Sequence, residues 1–359
     1  MFTTTTPVST STTTTTSRPR PPENGPAWTR RLVVPGTFTG LVEDGGSLYS
    51  VQTPSRGAPA RGTRVIRFDP ATRRVVARSA VVPGATALAF VDDRVFVAGV
   101  TWVSKNVEHT GPPMLFVLDP RTLQRTGEIA LSGLGEQMSG GPQGLLWLAL
   151  PYSLVRLDPS TGRVVAQVKI ADEYSLALDA SGDLLYDVVP GTKPEELLLQ
   201  ERDSQNGRRI ADASIPMFPF FFLAATSDGV WAASGQPGSS GALFFYRTSP
   251  LRLVSASLTE GGGGVSEIGG TTGPALPSFS ESPVADLSDG IVWVGSAGQL
   301  ACFDATTGSL DAITEQLHQP IVTGPVVVTH NGAFSVASLY APTPGTGLVR
   351  LFPPAACRT

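Results

Sequence analysis

Residues 144 to 163 read GLLWLALPYSLVRLDPSTGR, and two features of that stretch decide the fold. A turn glycine opens an apolar run with an aromatic at its centre. A second run ends in Asp, whose side chain can hydrogen-bond the backbone of the Pro-x-Thr-Gly turn that starts the next strand. Both features recur along the chain. SLYSV (47 to 51), RVFVAG (94 to 99), DLLYDV (183 to 188), GVWAAS (229 to 234), IVWVGS (291 to 296) and AFSVAS (333 to 338) repeat the first. Tyr49, Phe96, Trp147, Tyr186, Trp231, Trp293 and Phe334 therefore mark equivalent positions. VIRFDPATRR (65 to 74), FVLDPRTLQ (116 to 124) and LACFDATTGS (300 to 309) repeat the second. Large and small side chains alternate at strand period in these segments. A repeat of roughly 40 to 60 residues is the spacing of β-propeller blades.

Four strands per unit give an all-β, seven-bladed β-propeller of antiparallel blades. Blade 1 runs from about Thr37 to Val82, blade 2 from Gly84 to Leu131, blade 3 from Gly133 to Ala171 and blade 4 from Tyr174 to Met217. Blade 5 runs from Phe218 to Leu258, blade 6 from about Val265 to Leu317, and blade 7 from Ile321 to the C-terminus. The last blade is one strand short, because nothing follows the third strand GLVRLFP (347 to 353). An orphan strand, WTRRLVVPG (28 to 36), precedes blade 1 and resembles the fourth strands RVVARSAVVPG and RVVAQVKI. It is expected to complete blade 7 and so close the ring, hiding a pair of sheet edges. The propeller domain is then 28 to 359.

Composition fits that reading. The chain has 359 residues with 39 Gly and 31 Pro, which suits short strands and tight turns better than helices. KPEELLLQE (193 to 201) is the only helical candidate, and the repeat makes it a loop and a strand. Residues 1 to 27, rich in Thr, Ser and Pro, cannot bury a core and are expected to be a disordered tail or linker. A net charge of −4, with no basic stripe carrying interleaved aromatics, argues against a nucleic-acid partner. No stretch is long enough to span a bilayer: IPMFPFFFLAAT (215 to 226) is short and broken by Pro219, and reads as the innermost strand of blade 5. Arginine nearly replaces lysine, a hint of a GC-rich bacterial genome.

Localisation stays open between two readings. Thr/Pro-rich tails commonly tether extracellular domains, so an extracytoplasmic protein, secreted or tethered to the envelope through a segment upstream, is one. A cytoplasmic protein is the other, since no charged stretch followed by an apolar one marks a signal peptide. Cys302 and Cys357 carry the same ambiguity. Bonded, they staple the C-terminal end to blade 6 and close a loop worth roughly 4 kcal/mol; unbonded, Cys302 is a buried strand residue and Cys357 belongs to a frayed end.

The turns DPATRR, DPSTGR and DATTGS, with GLLWLAL and IVWVGS, resemble the seven-bladed propellers of the YVTN-repeat, streptogramin-lyase-like and quinoprotein-like superfamily, from Trp28 onward. That resemblance implies the fold, and its enzymatic members imply motifs that this chain does not carry. Streptogramin lyases imply a His and Glu-x-His set, whereas His109, His318 and His330 are the only histidines and Glu108 is adjacent to His109. Quinoprotein dehydrogenases imply a Trp after the DATTG turn, where Leu310 to Ile313 stand instead. Lactonase-type propellers imply Glu, Asn and Asp around a central calcium. Innermost strands offer Glu43, Asp44, Asp179 and Asp286, which are read here as turn caps.

Loop lengths place any site. The loops joining second to third strands share a face with the loops joining blades, and those loops are long: 54 to 62, 101 to 113, 190 to 195, 235 to 241 and 341 to 347, with 259 to 283 longer still. The opposite turns are short. Long loops on a rigid scaffold are where binding concentrates. Candidate residues for a ligand or partner are Trp102, Lys105, Glu108, His109, Glu267, Glu281 and His318, although Trp102 reads more readily as a strand residue entering the core than as a ligand platform. The loop-rich face carries Glu136, Asp172, Glu173, Glu260, Glu267, Glu281 and Glu315, the opposite turns Arg73, Arg74, Arg121, Arg163, Arg208 and Arg209. The resulting expectation is a monomeric, non-enzymatic binding, scaffold or sensor module, without a cofactor or catalytic residues and with no metal assigned. It would act on an unidentified protein or small molecule. The alternative is a metal-dependent lyase or lactonase working at the central channel.

Overall fold

The computed structural model describes residues 32–44, 46–53, 62–104, 109–141, 144–170, 177–191, 197–215, 221–235, 241–248, 250–258, 284–288, 290–296, 299–314, 321–339, 345–352 and 354–357. The turns ahead of the repeated aromatics fold tightly. Asp92 and Asp93 (φ 48° and 54°) precede Phe96, and Gly182 (57°) and Gly290 (72°) precede Tyr186 and Trp293. Left-handed turn residues match the twist of the strands they join, so each turn makes an antiparallel hairpin.

Blade 1 comprises Thr37–Asp44, Ser47–Thr53, Arg64–Asp69 and Arg74–Val81; blade 2, Ala87–Val91, Arg94–Val100, Pro113–Leu118 and Arg125–Ala130. Blade 3 comprises Gln137–Gly141, Leu145–Leu150, Ser153–Leu157 and Val164–Lys169; blade 4, Ala177–Ser181, Leu184–Pro190, Leu197–Asp203 and Arg209–Ile215. Blade 5 comprises Phe221–Ala225, Gly229–Gly235, Gly241–Arg247 and Arg252–Leu258; blade 6, Val284–Ser288, Ile291–Gly295, Leu300–Asp304 and Leu310–Ile313. Blade 7 is Ile321–Thr329, Gly332–Leu339 and Gly345–Leu351, with Val34–Pro35 added outside. The fold is a seven-bladed β-propeller, and its first strands touch one another around the ring.

The N-terminal strand closes the ring as expected but is shorter than WTRRLVVPG suggests. Val34 pairs with Leu348 and Pro35 with Gly347. Val33 N donates to Leu348 O at 2.7 Å and Gly36 N to Thr346 O at 2.9 Å. Residues 28 to 31, like the tail, lie outside the described residues.

Hydrophobic burial sits between blades. Each cluster of buried side chains joins neighbouring blades, as where Trp231 stacks at 4.6 Å on Phe245 of its own blade and meets Phe303 of the next at 4.6 Å with the rings tilted. Phe68 meets Phe334 edge-on at 5.4 Å, so blade 1 and blade 7 share a buried cluster as the other neighbouring pairs do. All seven repeated aromatics are buried, none above 2% exposed. They are packing residues.

The recurrent aspartate does what its sequence context suggests. Asp158 accepts from Ser160 N at 2.8 Å and Thr161 N at 3.3 Å, and Asp69, Asp119 and Asp304 do likewise in their turns. The Ser160 and Thr161 hydroxyls and backbone amides hold the Asp158 carboxyl down to about 2. Blade 4 repeats the device without the Pro-x-Thr-Gly signature: Asp203 accepts from Gln205 N and Asn206 N.

These turns also stitch blade to blade. Arg67 Nη1 donates to Arg121 O at 3.1 Å, Arg94 Nη1 to Pro159 O at 2.8 Å, Arg156 Nη1 to Gln205 O at 2.8 Å and Arg247 Nη2 to Thr307 O at 3.4 Å. Each bond runs from one blade to the carbonyls of the next blade's capped turn. Four carbonyls of the short-turn face are thus taken by arginines of neighbouring blades, while Arg73, Arg74, Arg121, Arg163, Arg208 and Arg209 of the turns themselves stay exposed. Blades 1 to 6 each carry a β-bulge at the start of the outer strand, which puts Val76, Val165 and Ile210 outside the pairing, about half exposed. A bulge twists an exposed edge away from flat pairing with another chain.

Candidate functional site

The first strands are edge strands toward the axis and enclose a cavity of about 420 Å³ lined from all seven blades. Equivalent positions on this wall can be read from the pairing, since each repeated aromatic faces one residue of the first strand. Those partners are Val42, Ala89, Ser139, Asp179, Ala224, Asp286 and Val327. Ala224 is wholly buried and the other six line the channel, one layer of which therefore holds two carboxyls and a hydroxyl amid Val and Ala. Phe90, Met138, Phe222 and Leu287 complete an apolar surround.

Edge strands explain how the carboxyls are held. Asp179 Oδ1 accepts from Ala180 N at 2.8 Å and from the Ser139 hydroxyl of blade 3 at 3.1 Å, while Oδ2 accepts from Ala225 N of blade 5 at 2.7 Å. Asp286 Oδ1 accepts from Leu287 N at 2.9 Å. A first-strand amide facing the axis has no ladder partner, and these carboxyls supply one. Glu43 does cap a turn, taking Gly46 N at 2.8 Å. Asp179 and Asp286 do not: the turn-cap reading is corrected by their mid-strand, channel-facing positions.

Both carboxyls keep a strip of surface toward the channel, yet protein crowds them closely, and the crowding governs their titration. Burial pushes Asp179 up to about 6, against the pull of Ala225 N, Ala180 N and the Ser139 hydroxyl. Burial and then the Asp179 charge push Asp286 well above the usual aspartate range. Two carboxyls that feel each other in a desolvated space titrate as a coupled pair, the charge on one holding the proton on the other. Asp179 ionises first, and Asp286 keeps its proton longer. Together they can accept and donate hydrogen bonds, exchange a proton or attract a cation.

A second polar group lies behind this wall in blade 4. Tyr186 faces Asp179 across the first ladder and Glu201 across the next. All of Tyr186 and nearly all of Glu201 are buried, and Tyr186 Oη and Glu201 Oε2 have no hydrogen-bond partner. Burial, with Glu201 and Asp179 adding to it, pushes the tyrosine hydroxyl far up. On the other face of the blade, Arg202 Nε donates to Asp187 Oδ1 at 2.9 Å and Arg202 also bonds Gln200. Sequence reading missed this concentration of buried polar groups. The available signal was QERD (200 to 203), in which Gln200 and Arg202 stand where the other blades carry apolar residues before the capping aspartate.

On the loop-rich face, residues 101–104 and 109–112 pair antiparallel as two bridged arms. Val103 pairs with Thr110, Ser104 N donates to His109 O at 2.8 Å, and Gly111 N to Trp102 O at 2.8 Å. Trp102 is 50% exposed, which corrects the reading that buries it in the core. Its ring lies over Gly111, where a Cβ would collide with the indole. His109 is exposed on the returning arm. Lys105, Glu108, Glu267, Glu281 and His318 lie outside the described residues. Of the seven acids expected on this face, only Glu136 is among the described residues. No three His, Cys, Asp or Glu side chains among the described residues converge as a metal-ligand group. Cys302 and Cys357 are bonded to each other. No helix among the described residues is long and apolar enough to cross a membrane.

Fold and channel together define a seven-bladed propeller with an asymmetric, partly acidic axis. No family model and no curated protein matches the chain. Among solved structures it is similar to the hydrazine synthase of Kuenenia stuttgartiensis, at 14% identity and a TM-score of 0.59, over 89% of this chain and 96% of that one. It is also similar to the computationally designed Ika8 protein, at 14% identity and a TM-score of 0.55, over 88% and 83% of the two chains. At such identity the likeness is one of fold alone.

Proposed function

We propose that this chain is an extracytoplasmic binding module of the YVTN-repeat type that receives a partner on its loop-rich face. The observation that carries the reading is Trp102. A half-exposed indole on a bridged, hydrogen-bonded pair of arms is an aromatic anchor whose entropy is already lost, the kind of residue that dominates binding interfaces. The opposite face offers a contrast, since its turns are short and several of their backbone carbonyls already accept arginine bonds from the neighbouring blade. The buried Cys302–Cys357 bond supports an oxidising compartment.

A photo-crosslinking residue placed at position 102 in living cells of the native host tests this. A discrete adduct is expected from position 102 and none from position 163 on the short-turn face. Equal labelling at both positions, or none at 102, would overturn the reading.

A second reading, an enzyme acting at the channel, is favoured by one observation: Asp179 and Asp286, held in one layer with shifted protonation. Metal analysis of the purified protein separates the two, because a stoichiometric divalent ion lost in an Asp179→Asn variant belongs to the enzymatic reading alone.

A further inference from the structure

The ring has one seam that the backbone does not close. In blades 1 to 6 the third strand runs on covalently into the fourth, whereas the third strand of blade 7, Gly345–Leu351, receives its outer neighbour Val34–Pro35 from the other end of the chain. That neighbour is two residues long, against four to eight in the other outer strands, and Pro35 has no amide to give. Among the described residues, no strand follows Gly345–Leu351 to hold its C-terminal end. The disulfide takes that place. Past Leu351 the chain turns through the short 3-10 segment Ala355–Cys357, which packs on the outer strand of blade 6, and Cys357 bonds Cys302 in the third strand of that blade. Both cysteines are buried, in one cluster with Trp293, Val349 and Leu351.

We propose that the Cys302–Cys357 bond is the lock on this seam: by pinning the free end of Gly345–Leu351 to blade 6, it keeps the surface on which Val34–Pro35 docks from peeling away. The bond forms when the two thiols give up two protons and pass two electrons to a disulfide-bearing oxidant, which leaves as a dithiol. The sulfurs are shielded once the ring is closed, so the lock is set during folding and is not reversed by ordinary thiol pools. Oxidation thus converts a ring that frays at one joint into one that does not.

Hydrogen exchange read by mass spectrometry tests this on the full chain, comparing the parent with a Cys302→Ala/Cys357→Ala variant. Exchange at residues 33 to 36 and 345 to 351 is expected to speed up by roughly tenfold or more, while 145 to 157 in blade 3 keeps its protection. Unchanged exchange at the seam, or equal acceleration in blade 3, would refute the lock. Coupling is reciprocal, which supplies a readout in an oxidised protein should the double variant fail to fold. A Val34→Asp variant, weakened only at the closing strand, should lose its disulfide to a phosphine reductant faster than the parent; equal rates would also refute the lock.

Discussion

Replacing Trp147 by Ala is expected to destabilise the protein by about 3 to 5 kcal/mol, and replacing it by Phe to cost at least ~1 kcal/mol more than the same change at Trp231. Both indoles are fully buried, so truncation to Ala leaves a comparable cavity at either. Their ring nitrogens differ. Trp147 Nε1 donates to Ser204 O in the capped turn of blade 4 at 2.9 Å, and the Gly207 that closes this turn, at φ +73°, has no room for a Cβ between Val168 and the Trp147 ring. Trp231 Nε1 is buried without a partner. Phe at 147 therefore strands a buried carbonyl, while Phe at 231 removes an unsatisfied donor. Denaturant unfolding of both Phe variants at unchanged slope measures the difference. Equal losses would mean that the inter-blade bond contributes nothing.

That contrast shows what the sequence could and could not reveal. The seven aromatics were legible because they sit at strand period after turn residues, and burial in both faces of a blade leaves no other role for them. The capped turns were legible where Asp precedes Pro-x-Thr-Gly, and the closing strand was legible by counting. Blade 4 escaped the turn signature because Asp203 caps a Ser-Gln-Asn turn by the same amide bonds with different residues. The inter-blade arginines escaped because their acceptors are backbone carbonyls 49 to 65 residues away, which no local pattern encodes. Asp179 and Asp286 were visible as acids on first strands. Their function was misread as turn capping because the first strand's inner edge, with unpaired amides toward the axis, exists only once the ring is closed. Trp102 was misassigned for a related reason: an apolar residue at the end of an apolar strand reads as core unless the bridged arms that carry it out are known.

Stability should rise as the solution is acidified from about pH 7.5 to about pH 4.5, and an Asp286→Asn variant should be more stable than the parent at the upper pH. The cause is the buried carboxyls. Asp179 titrates at about 6, and Asp286, Asp187 and Glu201 are all pushed upward, with burial first among the causes in each case. A carboxyl raised in the folded state binds its proton more tightly there than in the unfolded chain. Its contribution is complete below the ordinary value of 3.8 and is lost as pH rises through the folded value. For Asp179 alone the window from 3.8 to about 6 corresponds to on the order of 2 to 3 kcal/mol. Asp69, Asp119, Asp158 and Asp304 act in the opposite direction, since hydrogen bonds in their turns hold them low, and their contribution fails only in stronger acid. The optimum therefore falls on the acid side of neutrality. Asn at 286 keeps an oxygen for Leu287 N and removes a group that must hold a proton or bear an uncompensated charge beside Asp179. The slope of melting temperature against pH should flatten in that variant. Melting of the parent that does not change between these pH values, or an Asp286→Asn protein less stable than the parent at pH 7.5, would show that the channel carboxyls carry no strain. A protein that keeps two such groups together at its axis, amid Val and Ala, gives up stability there.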